Sequence, residues 1–171
     1  MNTKVQHQTC LLLGSNIEPG SNLTRSFNLL QEHMTILQTS SVWESEAIGS
    51  DGPNFLNAAV LAMTTFDAED LKIAVLRPLE AQLGRVRTKD KNAARTIDVD
   101  IIVFDQVLVD DSLWQYAHVA VPVSEILPEF HSETGNSLKD FVLDGGLKAP
   151  LKLRDDLSTY PFSTIFVQPR C

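Results

Sequence analysis

Between Gly84 and Phe104 the chain reads GRVRTKDKNAARTIDVDIIVF. Arg85, Arg87, Lys89, Lys91 and Arg95 crowd this stretch and make up five of the chain's fourteen Lys and Arg. Two carboxylates, Asp98 and Asp100, follow inside an apolar run. That run reads as a strand over residues 97–104. Alternation then puts Asp98, Asp100 and Ile102 on one face, with Ile97, Val99 and Ile101 on the other. Carboxylates about 7 Å apart on one side of a strand repel unless compensated. Either a hard cation or the neighbouring arginines can compensate them. Mg2+ takes one or two carboxylates together with substrate phosphate oxygens, and the basic run can hold the same phosphates. A solvated basic loop beside a solvated strand face also accounts for these residue types.

Bulk properties narrow the choice of partner. The chain has 171 residues, 43% hydrophobic and 21% charged, which suits one domain spanning 1–171. A net charge of −8 argues against a general nucleic-acid surface, whereas a local cationic cluster on an acidic protein suits a small polyanion. No apolar run approaches the roughly 18 residues of a membrane span, and the N-terminus carries no secretory h-region. Cys10 and Cys171 make neither a disulfide framework nor a zinc site, so a reduced, cytoplasmic setting is expected. The histidines lack metal-ligand spacing, and no phosphate-loop motif of the G-x-x-x-x-G-K type occurs.

The elements that would position these residues can be read from periodicity. TCLLL suggests a buried strand at 9–13, ended by Gly14 with Ser15 and Asn16 turning the chain. Leu23, Phe27, Leu30 and Met34 predict a helix over 22–34, capped by Ser21 or Asn22. Strands are expected at 36–46 and 54–66, separated by a loop of turn formers. Asp67 should cap the next helix, whose stripe is Leu71, Val75, Leu79 and Leu83. Pro78 must kink that helix or divide it, because a mid-helix proline costs roughly 3 kcal/mol. Short helices are expected near 122–127 and 136–143. The order strand, helix, strand, strand, helix, strand predicts an α+β ferredoxin-like sandwich, an antiparallel sheet with helices on one face and extra C-terminal helices.

LLLGSN at the start, FLNAAV at 55–60, LEAQLGRVR at 79–87 and RTIDVDIIVF at 95–104 together resemble the 6-hydroxymethyl-7,8-dihydropterin pyrophosphokinases. The likeness runs in order through residues 10–104 and resumes weakly at VPVSEILPE. That family moves the β,γ-diphosphate of ATP to a pterin hydroxymethyl group in folate synthesis, and it has a ferredoxin-like fold. The resemblance implies that Asp98 and Asp100 hold two Mg2+ ions. It implies that Arg85 and Arg95 contact the triphosphate and stabilise charge during transfer, that Arg87 supports them, and that Glu80 lies near the nucleotide. On the pterin side it implies that Asn57 hydrogen-bonds the ring edge, that Phe55 stacks on it, and that the backbone at Ser45 and Ile48 recognises it. The expected enzyme is monomeric, with small-molecule partners only.

The sequence also departs from that family. A proline-histidine-proline segment, an arginine and a stacking phenylalanine normally follow the D-x-D strand. Here the segment is shortened, no arginine lies between Arg95 and Arg154, and His118 falls where the phenylalanine would stand. His118 can stack on a flat ring or be an ordinary half-buried histidine. The tryptophan, glycine and proline usual before the second arginine are replaced by Asn92-Ala93-Ala94. These departures keep open a divergent relative that binds a pterin or nucleotide without turning it over.

Overall fold

The computed structural model describes residues 5–47, 52–87, 93–145, 147 and 150–157. Ile48, Lys89, Lys91, Asn92 and Cys171 lie outside the described residues. The central strand is β1 (His7–Ser15), longer than its apolar run because its polar ends also find partners. It pairs antiparallel with β4 (Phe55–Thr64) on one side and β5 (Asp98–Phe104) on the other. Strands β3 (Trp43–Ser45) and β7 (Leu151–Leu153) extend the sheet beyond β4, and β6 (Val107–Leu108) extends it beyond β5. Strand β2 (Thr35–Thr39) also pairs with β4.

The strand expected at 36–46 is therefore two strands. Ser40 breaks it: its hydroxyl accepts the Ala59 N–H at 2.8 Å and donates to the Ser41 carbonyl at 2.7 Å, turning the chain. Helix α1 (Pro19–Gln31) starts earlier than expected, because Pro19 fits the first helical position and Glu18, not Ser21 or Asn22, is the cap. Asn22 lies inside the helix, where its side-chain amide donates to the Ile17 carbonyl at 2.7 Å.

Asp67 caps its helix as expected, accepting from the Asp70 N–H at 2.8 Å. Helix α2 (Ala68–Asp70) runs through a π-helical stretch (Leu71–Leu76) into α3 (Arg77–Gln82). Pro78 cannot donate a hydrogen bond, and an α-helical path would press its ring on the carbonyl four residues back. The widened turn precedes it, with the Arg77 N–H reaching Lys72 O, five residues back. The helix thus bends its bonding pattern instead of splitting.

Both faces of the sheet are covered. Leu11, Leu13, Val60, Val99 and Ile101 pack against Leu23, Phe27 and Leu30 of α1 and Leu71, Val75 and Leu79 of the α2–α3 run. This is the ferredoxin-like core with its two helices on one face. On the opposite face Cys10, Leu12, Ala59, Leu61 and Ile102 pack against α4 (Ala117–Ile126) and Leu138 of α5 (Leu138–Leu143). Each fully buried Leu or Ile contributes about 1.5–3 kcal/mol through removal from water. Helix α4 begins five residues before the expected 122, at Ala117. The α4 face covers only part of the sheet, and the polar ends of β1, β4 and β5 extend beyond its packed core. Among the described residues no helix is long and apolar enough to cross a membrane.

Candidate active site

Strand pairing aligns the candidate residues in one row. Asn57 pairs with Gly14, and Gly14 pairs with Asp98, so the three cross β4, β1 and β5 side by side. Trp43 of β3 continues the row on the other side of Asn57. Gly14 is needed here for space. A Cβ on it would come within 3.3 Å of Asn57 Oδ1 and 4.0 Å of Phe55 Cδ1. The row therefore has a side-chain-free floor flanked by an amide and a carboxylate.

Three of the pterin-side candidates, Asn57, Ser45 and Phe55, meet at one end of this row, and no contact joins His118 to them among the described residues. Asn57, 2% exposed, donates from Nδ2 to Ser45 Oγ at 3.0 Å and to the Trp43 carbonyl at 3.3 Å. Ser45 pairs with Phe55 across β3 and β4. Those bonds hold the amide plane fixed, so its remaining polar edge has a defined direction. Phe55 lies under the Arg95 guanidinium, 5.9 Å from the ring centroid. His118 stands in the first turn of α4, its ring 5.4 Å from that of Tyr116 and tilted by 32°. Burial depresses the His118 pKa, so its imidazole is neutral near pH 7 and suited to stacking.

At the other end the arginines surround Asp98. Arg85 Nη1 pairs with Asp98 Oδ1, and Arg95 Nη1 with Asp98 Oδ2. Arg85 Nη1 also donates to the Ile97 carbonyl at 2.8 Å. Of the two compensations left open for the D-x-D pair, the arginines supply one directly. Asp100 has a different environment. Asp100 is exposed at its surface, yet the protein packed around it, then the charges of Asp98, Asp110 and Glu80, push its pKa up to about 6.

Glu80 is the brace beneath the arginines. It is 3% exposed, and its Oε1 accepts the Val99 N–H at 3.0 Å while Oε2 accepts Arg87 Nη2 at 2.6 Å. Oε1 also lies 3.5 Å from Arg85 Nη1. Its carboxylate thus ties the end of α3 to β5, and burial raises its pKa against these bonds. Gly84, at φ 81°, closes α3, and the Arg85 N–H returns to the Glu80 carbonyl at 2.9 Å. The helix stop is what turns the G-R-V-R segment back over Glu80.

This end of the site is organised by a residue expected only to turn the chain after β1. Asn16 is buried, accepts the Arg95 N–H on Oδ1 at 2.7 Å and donates from Nδ2 to the Pro53 carbonyl at 3.1 Å. It joins the arginine loop to the segment before Phe55. Its signal was a polar residue ending an apolar strand, which a surface turn would produce as well. Thr96 Oγ1, between Arg95 and Ile97, is buried and has no partner among the described residues. A separate groove of about 1140 Å³, lined by Gln8, Gln106, Trp114 and Phe130 among others, lies toward the opposite end of β1 and holds none of the candidates.

Residues 10–128 match the family model of 7,8-dihydro-6-hydroxymethylpterin-pyrophosphokinase, HPPK. The 2-amino-4-hydroxy-6-hydroxymethyldihydropteridine pyrophosphokinase of Campylobacter jejuni is 36% identical over 125 residues, covering 68% of this chain and 76% of its own. The protein of that name from Aquifex aeolicus is 29% identical over 147 residues, covering 80% of this chain and 91% of its own. A folate synthesis bifunctional protein of Arabidopsis thaliana is 25% identical, but this chain spans only 28% of its length. The solved HPPK-DHPS of Plasmodium falciparum shares the fold at a TM-score of 0.66 and 10% identity, with 85% of this chain and 44% of that one covered. Fold and relatives together define a transferase of the pyrophosphokinase class. The chain belongs to the 7,8-dihydro-6-hydroxymethylpterin-pyrophosphokinase family.

Proposed function

We propose that this chain transfers the β,γ-diphosphate of ATP to the hydroxymethyl group of 6-hydroxymethyl-7,8-dihydropterin, with Mg2+, as a single cytoplasmic domain acting as a monomer. The observation that carries this reading is the Asn57–Gly14–Asp98 row, a ring-edge reader and an arginine-flanked carboxylate on either side of an open floor. In the reaction the hydroxymethyl oxygen attacks the β-phosphorus. The bond from that phosphorus to the α,β-bridging oxygen breaks, AMP departs, and the hydroxyl proton is released. Such a transfer depends on positioning and charge neutralisation more than on a strong base.

In this reading Phe55 and His118 hold the pterin ring, Asn57 reads its edge, and the backbone at Ser45 and Ile48 completes the contact. Arg85 and Arg95 exchange their hold on Asp98 for oxygens of the triphosphate, and Arg87 and Glu80 keep them in place. Asp98 and Asp100 would hold the metal. Two points support the fit: both are hard oxygen donors on one strand face, and the carboxylates of Asp98, Asp110 and Glu80 act on Asp100 together, a field that favours a cation. Among the described residues no three His, Cys, Asp or Glu converge, so phosphate and water must supply the other ligands. When bound, Mg2+ supplies charge neutralisation at the phosphates and alignment of the attacking oxygen.

A second reading, binding without turnover, draws on Asp98 having both oxygens engaged by arginines. The purified chain, given ATP, Mg2+ and the hydroxymethyldihydropterin, separates the two. AMP formed in step with pterin diphosphate supports the transferase. Pterin binding with no AMP supports the silent relative, and ADP in place of AMP overturns the diphosphate transfer.

A further inference from the structure

We infer that the C-terminal strand β7, through Arg154 and Glu44, is a clamp that positions the pterin side of the site. The inference rests on the function proposed above. Strand β3 has only three residues, yet it carries Ser45, the partner of Asn57. Without β7 it would be a short sheet edge with unpaired outer backbone groups. Strand β7 pairs along its full length: Ser45 with Leu151, Glu44 with Lys152 and Trp43 with Leu153. The Arg154 N–H then donates to the Val42 carbonyl at 2.9 Å, extending the ladder by one bond.

The side chains lock this addition. Arg154 Nη1 donates to Glu44 Oε2 at 3.0 Å, while its Nε and Nη2 grip both oxygens of Asp156 at 2.8 and 2.7 Å. Glu44 and Arg154 are 21% and 27% exposed, so water screens their pair only in part. These partners hold the Glu44 carboxyl below its usual range, Asn54 first and Arg154 after it. The other Glu44 oxygen accepts Asn54 Nδ2 at 2.9 Å, immediately before Phe55. One residue earlier, the Pro53 carbonyl takes the amide of Asn16, and Asn16 takes the N–H of Arg95. Polar contacts therefore tie Arg154 through Glu44 to Asn54, and Arg95 through Asn16 to Pro53, fixing from both sides the short segment that leads into Phe55. Neither Glu44 nor Arg154 needs to touch substrate. They are positioning residues.

The test combines calorimetric binding of 6-hydroxymethylpterin with steady-state kinetics on Arg154→Ala, Glu44→Gln, the double variant and Arg154→Lys. We expect Arg154→Ala to weaken pterin binding and raise its KM about tenfold, an ordinary coupling size, with the KM for ATP unchanged. Glu44→Gln should shift the pterin KM in the same direction, and the double variant should fall well short of the sum of the two, since the Arg154–Glu44 pair is common to both. Arg154→Lys, which keeps the charge but loses the fork, should fall between and serves if the alanine variant does not fold. An unchanged pterin affinity alongside a lowered Tm would overturn the clamp, as would additive effects. Wild-type protein that binds no pterin would instead overturn the substrate assignment, and the clamp's purpose with it.

Discussion

Asn57 and Asp98 stand on either side of Gly14 in one row across three strands. In the proposed reading a flat ring and a polyphosphate are thus read from two strands that flank β1 in one sheet, with no loop needed to fix their separation. Strands spaced about 4.8 Å apart set that separation at about 10 Å.

Filling the floor should therefore hurt one substrate more than the other. Gly14 lies in a strand with no left-handed requirement, so alanine is conformationally acceptable there, but its Cβ would press on Asn57 Oδ1 at 3.3 Å. We expect Gly14→Ala to keep the fold, raise the pterin KM about ten- to hundredfold and leave ATP binding unchanged. Paired KM measurements with a melting curve check this.

Asp98 is held by two arginines, so its loss disturbs charge more than packing. Asp98→Asn should lower kcat by about 100- to 1000-fold with the pterin KM little changed, the scale of removing one preorganised electrostatic partner. Substantial residual turnover would remove Asp98 from the reaction.

Glu80 should report on stability as well as rate. Glu80→Ala leaves the buried Val99 N–H without its acceptor and Arg87 without this carboxylate, while Arg85 keeps Asp98 and the Ile97 carbonyl, at a cost of about 2–3 kcal/mol. Glu80→Gln keeps an acceptor and should cost less, about 1 kcal/mol. Urea midpoints of the two variants, compared at constant m-value, measure the difference.

Metal-free protein should show a pH signature from Asp100. Its pKa of about 6 in the fold exceeds the ordinary 3.8, so the folded chain binds this proton more tightly than the unfolded one. The group's contribution is fully present below the unfolded value and is lost as pH rises through 6. Asp100→Asn should then be more stable than wild type at pH 7.5, and the gap should shrink toward pH 4. A gap that widened in acid would contradict the assigned environment.

Much of this was legible in the chain because strand alternation is rigid. Once IDVDIIVF is a strand, the faces of Asp98, Val99, Asp100 and Ile101 follow, and Ile97, Val99 and Ile101 join one packed cluster while Ile102 joins the other. The ferredoxin-like order was legible for the same reason. What stayed hidden depends on contacts between distant segments. Strand β7 is three residues long and exists only because β3 offers it an edge. Ser40 breaks a strand through a bond to Ala59, and Glu80 is a brace only because Arg85, Arg87 and Val99 converge on it. The pterin-side backbone at Ile48 and the cations at Lys89 and Lys91 lie outside the described residues.

The π-helical stretch before Pro78 fixes the angular phase of everything after it. Each helical residue advances about 100° around the axis, so one residue more or fewer between Leu71 and Leu76 would swing Glu80 by that angle, away from Val99 and the arginines. A deletion there could restore regular α-helical bonding and still unseat Arg85 and Arg87 from their anchor. The helix's length is thus constrained by the arginines that Glu80 must hold, and Pro78, inside the helix itself, keeps that count.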